Sequence, residues 1–324
     1  MTSIALGDLA RNMMLRASNQ RLMSEMQTLT ETVAQGRVSD MAEHLKGDFR
    51  PLAAIEGRMA ALSAFEQVTA EASAFLGAQQ SAVTQFGENA TALSKTLLFS
   101  DASTGSNTKA VLAQEARDVF TETVGALNGS TGGRSLFSGA NVTTAPLPSA
   151  EELLEQLNLE VGAIADPQQR AAAIKEWFTA ESAGYAQAYS GNDDQVVGYS
   201  LSSGDRITAS FTAMDPDFRE FLAQTATAAL VPDVEVLEGI GADLAASAKS
   251  FAEKSGLIGL SESRLESMSV RDAAERSSLE IQMTEMTVPD LYEVAVQLEE
   301  NQQALERMYL VTSKLSSMSL ADYL

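Results

Sequence analysis

Few side chains in this sequence are equipped for chemistry, and their spacing limits what they can do. The 324 residues include one histidine and no cysteine. A Ser-His-Asp arrangement would rest on His44 alone, in a polar, turn-like stretch that suggests no partner. A multi-histidine metal centre, a thiol nucleophile, a disulfide and an iron–sulfur cluster have no residues to build them. His44 therefore reads as a solvated surface histidine. Gly191-Asn192-Asp193-Asp194 begins like a calcium loop but lacks the later Gly and the closing Glu, and reads as a turn. Gly129, Gly132, Gly133 and Arg134 suggest a phosphate loop, yet no Gly-Lys-Ser/Thr follows and the segment comes after a helical pattern rather than a strand. It reads as a flexible connector. Asn89, Asn128 and Asn141 each open an Asn-x-Ser/Thr triplet, a pattern frequent by chance. The expectation is of no catalytic residue, no cofactor and no metal, and so of a non-enzymatic protein.

Composition narrows the partners. The 44 acidic residues outnumber 22 basic ones, a formal net charge of −22. A surface of that sign repels a nucleic-acid backbone and an anionic membrane alike. Hydrophobic residues are 45% of the chain, enough for a packed core, but aromatics are only 6%, which predicts that much of any core is Ala, Leu, Val and Met. The first twenty residues carry Asp8 and Arg11 where a signal peptide needs an unbroken apolar run, and no window approaches the ~18 apolar residues of a membrane span. The expectation is a cytosolic protein, or one exported without a cleaved signal.

The elements follow from prolines and periodicity. Pro51 is the first proline and Pro146 the second, so the first part of the chain can hold long helices. Residues 5–35 predict one helix with Leu15, Asn19, Leu22, Met26, Leu29 and Val33 spaced alternately by four and three, the narrow seam of a coiled coil. Gln35-Gly36-Arg37 reads as its C-cap. After an irregular stretch at 38–50, helices are predicted over 51–98 and 109–128, with a loop at 101–108 between them. The run from Gly129 to Pro148 breaks the pattern. Ser149 with Glu152, Asp166-Pro167 and Asp215-Pro216 predict helix starts, and the alternations Val197/Tyr199/Leu201 and Ile207/Ala209/Phe211 around Ser203-Gly204-Asp205 predict a β-hairpin. Helical periodicity returns over 233–285, with a soft point at Gly256 and Gly259 and a joint at Thr287-Val288-Pro289. The last helix repeats the first one's spacing through Leu291, Val294, Leu298, Asn301, Leu305, Met308, Thr312 and Leu315.

The predicted fold class is mostly α with a small α+β insertion, a long antiparallel helical bundle or coiled coil built from both termini. Residues 1–40 and 286–324 form terminal coiled-coil helices, 41–145 and 232–285 a helical body, and 146–231 an inserted outer α+β domain. Asn19 and Asn301 each place one amide in the seam, which lowers stability and fixes register. A single helix with such a seam cannot bury it alone, and two make only a thin rod. Association through the termini is the mechanical expectation, with Leu15, Asn19, Leu22, Met26, Leu29, Val33, Leu291, Val294, Leu298, Asn301, Leu305, Met308 and Leu315 as the interface. Met residues near both ends could instead serve an adaptable binding surface.

Several segments together resemble the bacterial flagellin superfamily, most closely its hook–filament junction branch, the hook-associated protein 3 family. Leu22–Val33 followed by Gln35-Gly36-Arg37-Val38 is similar to that family's helix and turn. Asp48-Phe49-Arg50-Pro51-Leu52-Ala53 resembles its Asp-Asp-Pro-Ala helix start, with one of the paired aspartates kept. Gly133-Arg134-Ser135-Leu136-Phe137-Ser138-Gly139, with Thr144-Ala145-Pro146 after it, is the most specific match. Tyr189-Ser190-Gly191-Asn192-Asp193 and the closing Ser319-Leu320-Ala321-Asp322-Tyr323-Leu324 are also similar. The stretch 38–50 is longer and more charged than the pattern, and the central domain is short. The resemblance implies a structural protein of the flagellum, exported by the flagellar type III route and located outside the cell. Its terminal segments would be unfolded in the monomer and helical in the assembled tube. The implied partners are further copies in a ring or helical array, a neighbouring hook-associated protein and flagellin, with an export chaperone at the C-terminal helix as a further candidate. The alternatives are a filament flagellin and, in a different class, a cytosolic coiled-coil adaptor.

Overall fold

The computed structural model describes residues 2–99, 105–182, 184–192, 198–200, 204, 206–208 and 211–321, with backbone only for 2–9, 11–12, 200, 206–208 and 315–321. The fold is mostly α. In chain order the elements are α1 (Thr2–Gln35), α2 (Met41–His44), α3 (Arg50–Leu98), α4 (Ser106–Leu127), β1 (Ser130–Thr131), β2 (Arg134–Ser135), α5 (Ala150–Val161), α6 (Pro167–Thr179), α7 (Gly184–Ala188), β3 (Gly198–Ser200), β4 (Arg206–Thr208), α8 (Pro216–Leu230), α9 (Val234–Thr287) and α10 (Leu291–Ala321). Contacts divide them into two units, residues 1–61 with 273–324 and residues 62–272, and α3 and α9 contribute to both.

Local chemistry sets the helix starts. Ser149 and Glu152 form a reciprocal capping box on α5. Asp166 and Asp215 accept hydrogen bonds from Gln169 and Asp217 backbone N–H groups, each followed by a proline whose fixed φ suits a first turn. Asp233 and Asp290 cap α9 and α10 in the same way, through the N–H groups of Glu235 and Tyr292. The helix α1 ends where Gly36, at φ 64°, donates to the Thr32 carbonyl at 2.9 Å. Helix α9 runs through Gly256 and Gly259 without a break, so the expected soft point is absent from the backbone.

The larger unit has a continuous hydrophobic core fed by α3 through α9. Most of its residues are Ala, Leu, Val and Met, as expected, and nine of the twelve phenylalanines are buried among them. Phe218 of α8 sits at the centre, its ring 5.6 Å from Phe86, 5.5 Å from Phe137 and 6.0 Å from Phe251. Helix α8 is buried from Phe218 to Ala229 except at the half-exposed Glu220, and its buried polar residues are satisfied inside. Arg219 donates to the carbonyls of Phe178 and Ala180, both at 2.7 Å, and Gln224 accepts from Ser247 at 2.9 Å. Lys254 of α9 reaches Asp215 at 2.8 Å and Asp217 at 2.9 Å while lying 4.7 Å from the centroid of the Phe211 ring. Burial works against the Lys254 charge, but the two carboxylates outweigh it and raise its pKa. Burial likewise works against the Asp217 charge, and hydrogen bonds from Ser250 and Lys254 overcome it to lower its pKa.

The segment after α4 is ordered, not the flexible connector expected. Strands β1 and β2 pair antiparallel, Ser130 with Ser135 and Thr131 with Arg134, around Gly132 and Gly133, both at positive φ. Arg134 then pairs with Glu71 at 2.6 Å and lies over the Tyr199 ring. Leu136, Phe137 and Ser138 turn into the core. Gly139, at φ 64°, bridges to Asn192, and a Cβ there would overlap the Asn192 carbonyl. Bonds from Ala140 N–H to the Asn192 carbonyl, Asn192 N–H to the Ser138 carbonyl and Ser190 N–H to the Pro146 carbonyl tie the two segments together. The predicted hairpin is present as β3 and β4, paired Gly198–Thr208, Tyr199–Ile207 and Ser200–Arg206. Val197, Leu201 and Ala209, like Asp193 and Asp194, lie outside the described residues.

Candidate assembly interface

Helices α1 and α10 pack against each other in the smaller unit. Where α1 ends and α10 is about to begin, the Val38 N–H donates to the Thr287 carbonyl at 3.3 Å. The two helices leave that joint side by side, so they are antiparallel.

Most members of the expected seam are half-buried or buried. Leu15, Asn19, Leu22, Met26 and Leu29 of α1 are half-buried, as are Leu298, Asn301 and Met308 of α10, and Val294 and Leu305 are buried. Two expected members fall outside it, since Val33 is 46% exposed and Leu291 51%. The side chain of Leu315, with the closing Asp322-Tyr323-Leu324, lies outside the described residues. Thr32 is buried in place of Val33, because the chain that turns back after Gly36 covers it. Its hydroxyl donates to the Thr28 carbonyl and sits 2.9 Å from the Ser39 hydroxyl. A heptad count misses this residue, because a tertiary return rather than the facing helix buries it.

The seam is shallow. Among the described residues of this unit, only Ile55, Val294 and Leu305 are buried hydrophobics, and the phenylalanine cluster lies in the other unit. Met13, Met14 and Met23 on α1, and Tyr292, Tyr309, Leu310 and Val311 on α10, are half exposed or more. Two helices of 34 and 31 residues that bury so little are marginal as an isolated pair.

Polar contacts supply part of the order. Arg58 of α3 holds Glu275 of α9 through two parallel bonds, 2.6 and 2.8 Å, within the same unit. Sequence reasoning missed this pair, whose members stand 217 positions apart. His44 closes the one-turn helix α2 and is exposed. Among the described residues no group of three or more His, Cys, Asp or Glu is placed to hold a metal ion, and no helix is long and apolar enough to cross a membrane.

No family model and no curated protein sequence matches this chain. Its fold is similar to those of several solved structures. FlgL of Bacillus cereus aligns with a TM-score of 0.52 at 13% identity, over 72% of this chain and 100% of that one. A Vibrio parahaemolyticus protein assigned as flagellar hook-associated aligns with a TM-score of 0.50 at 14% identity, over 72% of this chain and 95% of that one. At these identities the likeness is one of fold.

Proposed function

We propose that this chain is a non-enzymatic structural subunit of the bacterial flagellum that joins hook to filament. It would leave the cell by flagellar type III export and assemble through its terminal segments, 1–40 and 286–324, as the inner layers of a tube. Its partners would be further copies, a neighbouring hook-associated protein and flagellin, with an export chaperone on α10 before assembly. The observation behind this reading is the shallow α1–α10 seam, a helix pair with three buried hydrophobics in its unit and large apolar side chains left facing solvent. Neighbouring subunits would supply the missing surface and offset the ordering entropy only on assembly. The fold likeness to FlgL and to a hook-associated protein supports the same conclusion, as do the Gly133–Gly139 and Tyr189–Asn192 segments, which resemble the junction family and are bonded to one another.

Deletion of the gene tests the proposal. Intact hooks with flagellin shed into the medium are the expected result. Loss of the filament subunit with a normal junction would make the chain a filament flagellin, and normal motile filaments would overturn the flagellar reading.

A further inference from the structure

Of the asparagines in the chain, only Asn128 is followed by glycine. An Asn-Gly pair is prone to lose ammonia, because glycine has no side chain to shield its backbone nitrogen from the neighbouring carboxamide. Both residues are demanded by the fold where α4 passes into β1. Asn128 closes α4, and its carboxamide is clamped on the segment before α5. Its Nδ2 donates to the Leu147 carbonyl at 3.0 Å and to the Pro148 carbonyl at 3.4 Å, while Oδ1 accepts from the Leu147 N–H at 2.9 Å. Gly129 lies so close to the turn before it that a Cβ there would come 2.8 Å from the Ala126 carbonyl oxygen and 3.4 Å from Leu136.

We propose that Asn128 and Gly129 form a self-modification site that the folded chain holds silent and an unfolded interval opens. In the step itself the Gly129 backbone nitrogen gives up its proton to solvent and bonds to the Asn128 Cγ. The Cγ–Nδ2 bond breaks, and Nδ2 leaves as ammonia. Water then opens the cyclic imide at either carbonyl, leaving aspartate or isoaspartate at position 128. No oxidation state changes, and water is the only co-reactant. In the fold, three restraints oppose ring closure. The Gly129 N–H is engaged by the Ala126 carbonyl at 3.0 Å. The carboxamide is held by Leu147. At ψ 3° the Gly129 nitrogen eclipses the Asn128 nitrogen and stands roughly a third of a turn from Cβ, whereas a five-membered ring needs it beside Cβ. Ring closure therefore waits on local opening of the junction between α4 and β1.

The clamp also refuses the product. A carboxylate only accepts hydrogen bonds. One oxygen would still take the Leu147 N–H, but the other would stand where Nδ2 now donates, oxygen against carbonyl oxygen. Isoaspartate would add a backbone atom ahead of the β1–β2 hairpin, whose base is fixed by the Leu136 N–H on the Gly129 carbonyl at 3.0 Å. A chain that ages before it folds is thus marked and destabilised at one position. This inference stands apart from the assembly reading, which can fail without touching it.

The test is peptide-level mass spectrometry of the full chain held in native buffer and in urea at the same mildly alkaline pH, with released ammonia and isoaspartate measured alongside. We expect modification at position 128 in urea, and a rate at least about tenfold lower in the native chain. Gly129→Ala should lose most of the ammonia release in urea, since a methyl group crowds the attacking nitrogen. Asn128→Asp should lower the unfolding midpoint followed by the buried Trp177 by at least about 2–4 °C, the shift that one lost hydrogen bond gives in a unit of this size. Equal rates in the two buffers would overturn the silencing. Modification mapped chiefly to another asparagine would overturn the site, and an Asn128→Asp chain as stable as the parent would overturn the clamp.

Discussion

Arg58 and Glu275 meet fork to fork, with Arg58 Nε and Nη2 donating to the two carboxylate oxygens at 2.6 and 2.8 Å. They join α3 to α9 in a stretch where Ile55 is the only buried hydrophobic on α3. Both side chains are more than a third exposed, which limits the pair to roughly 0.5–1 kcal/mol. Arg58→Glu alone should lower the thermal midpoint slightly, and adding Glu275→Arg should restore it. The check is a double-mutant cycle on helical circular dichroism. A coupling energy of zero would make the pair incidental.

The core prediction centres on Phe218, fully buried against Phe86, Phe137 and Phe251. Phe218→Ala should destabilise the larger unit by about 3–5 kcal/mol, the loss of a buried ring plus the cavity it leaves. The single tryptophan, Trp177, is buried in the same core and reports unfolding by fluorescence. Phe99→Ala, at a side chain 88% exposed, should change that transition little.

Acid should unlock the Lys254 cluster. The Asp217 pKa is lowered in the fold, so its ionised form contributes stability above the ordinary carboxylate value of 3.8, and that contribution is lost as pH falls through the folded value. The Lys254 pKa is raised above 10.5, so its contribution is complete below that pH and fades only in stronger base. Lys254→Met should cost about 3 kcal/mol at neutral pH by stranding two carboxylates beside Phe211. It should also flatten or invert the decline in urea midpoint below pH 4. An unchanged acid profile would show that other groups govern it.

The termini should behave unlike the body. In a dilute monomer, limited proteolysis should cut within residues 1–40 and 285–324 before it cuts the phenylalanine core, because so little of the α1–α10 pair is buried. Leu22→Asp and Leu298→Asp should leave the Trp177 transition intact and block assembly, since each puts a charge into the seam. Termini as resistant as the core in a verified monomer would point instead to a folded coiled-coil adaptor.

Much of this protein was legible from residue order. The proline–aspartate starts, the capping box at Ser149, the Gly36 stop and the alternation at Tyr199 are local signals, and local geometry follows from them. The three–four spacing of Leu22, Met26 and Leu29, and of Leu298, Asn301 and Leu305, puts those side chains on one face of each helix by periodicity alone, and all six are half-buried or buried. Tertiary structure decided what no spacing encodes. It placed α8 at the centre, folded the glycine-rich run onto Glu71 and Asn192, buried Thr32 under a returning chain while leaving Val33 outside, and joined Arg58 to Glu275. The physical reason is common to all four. Each depends on which distant segment arrives to exclude water, and that is a property of the packed chain, not of any window along it.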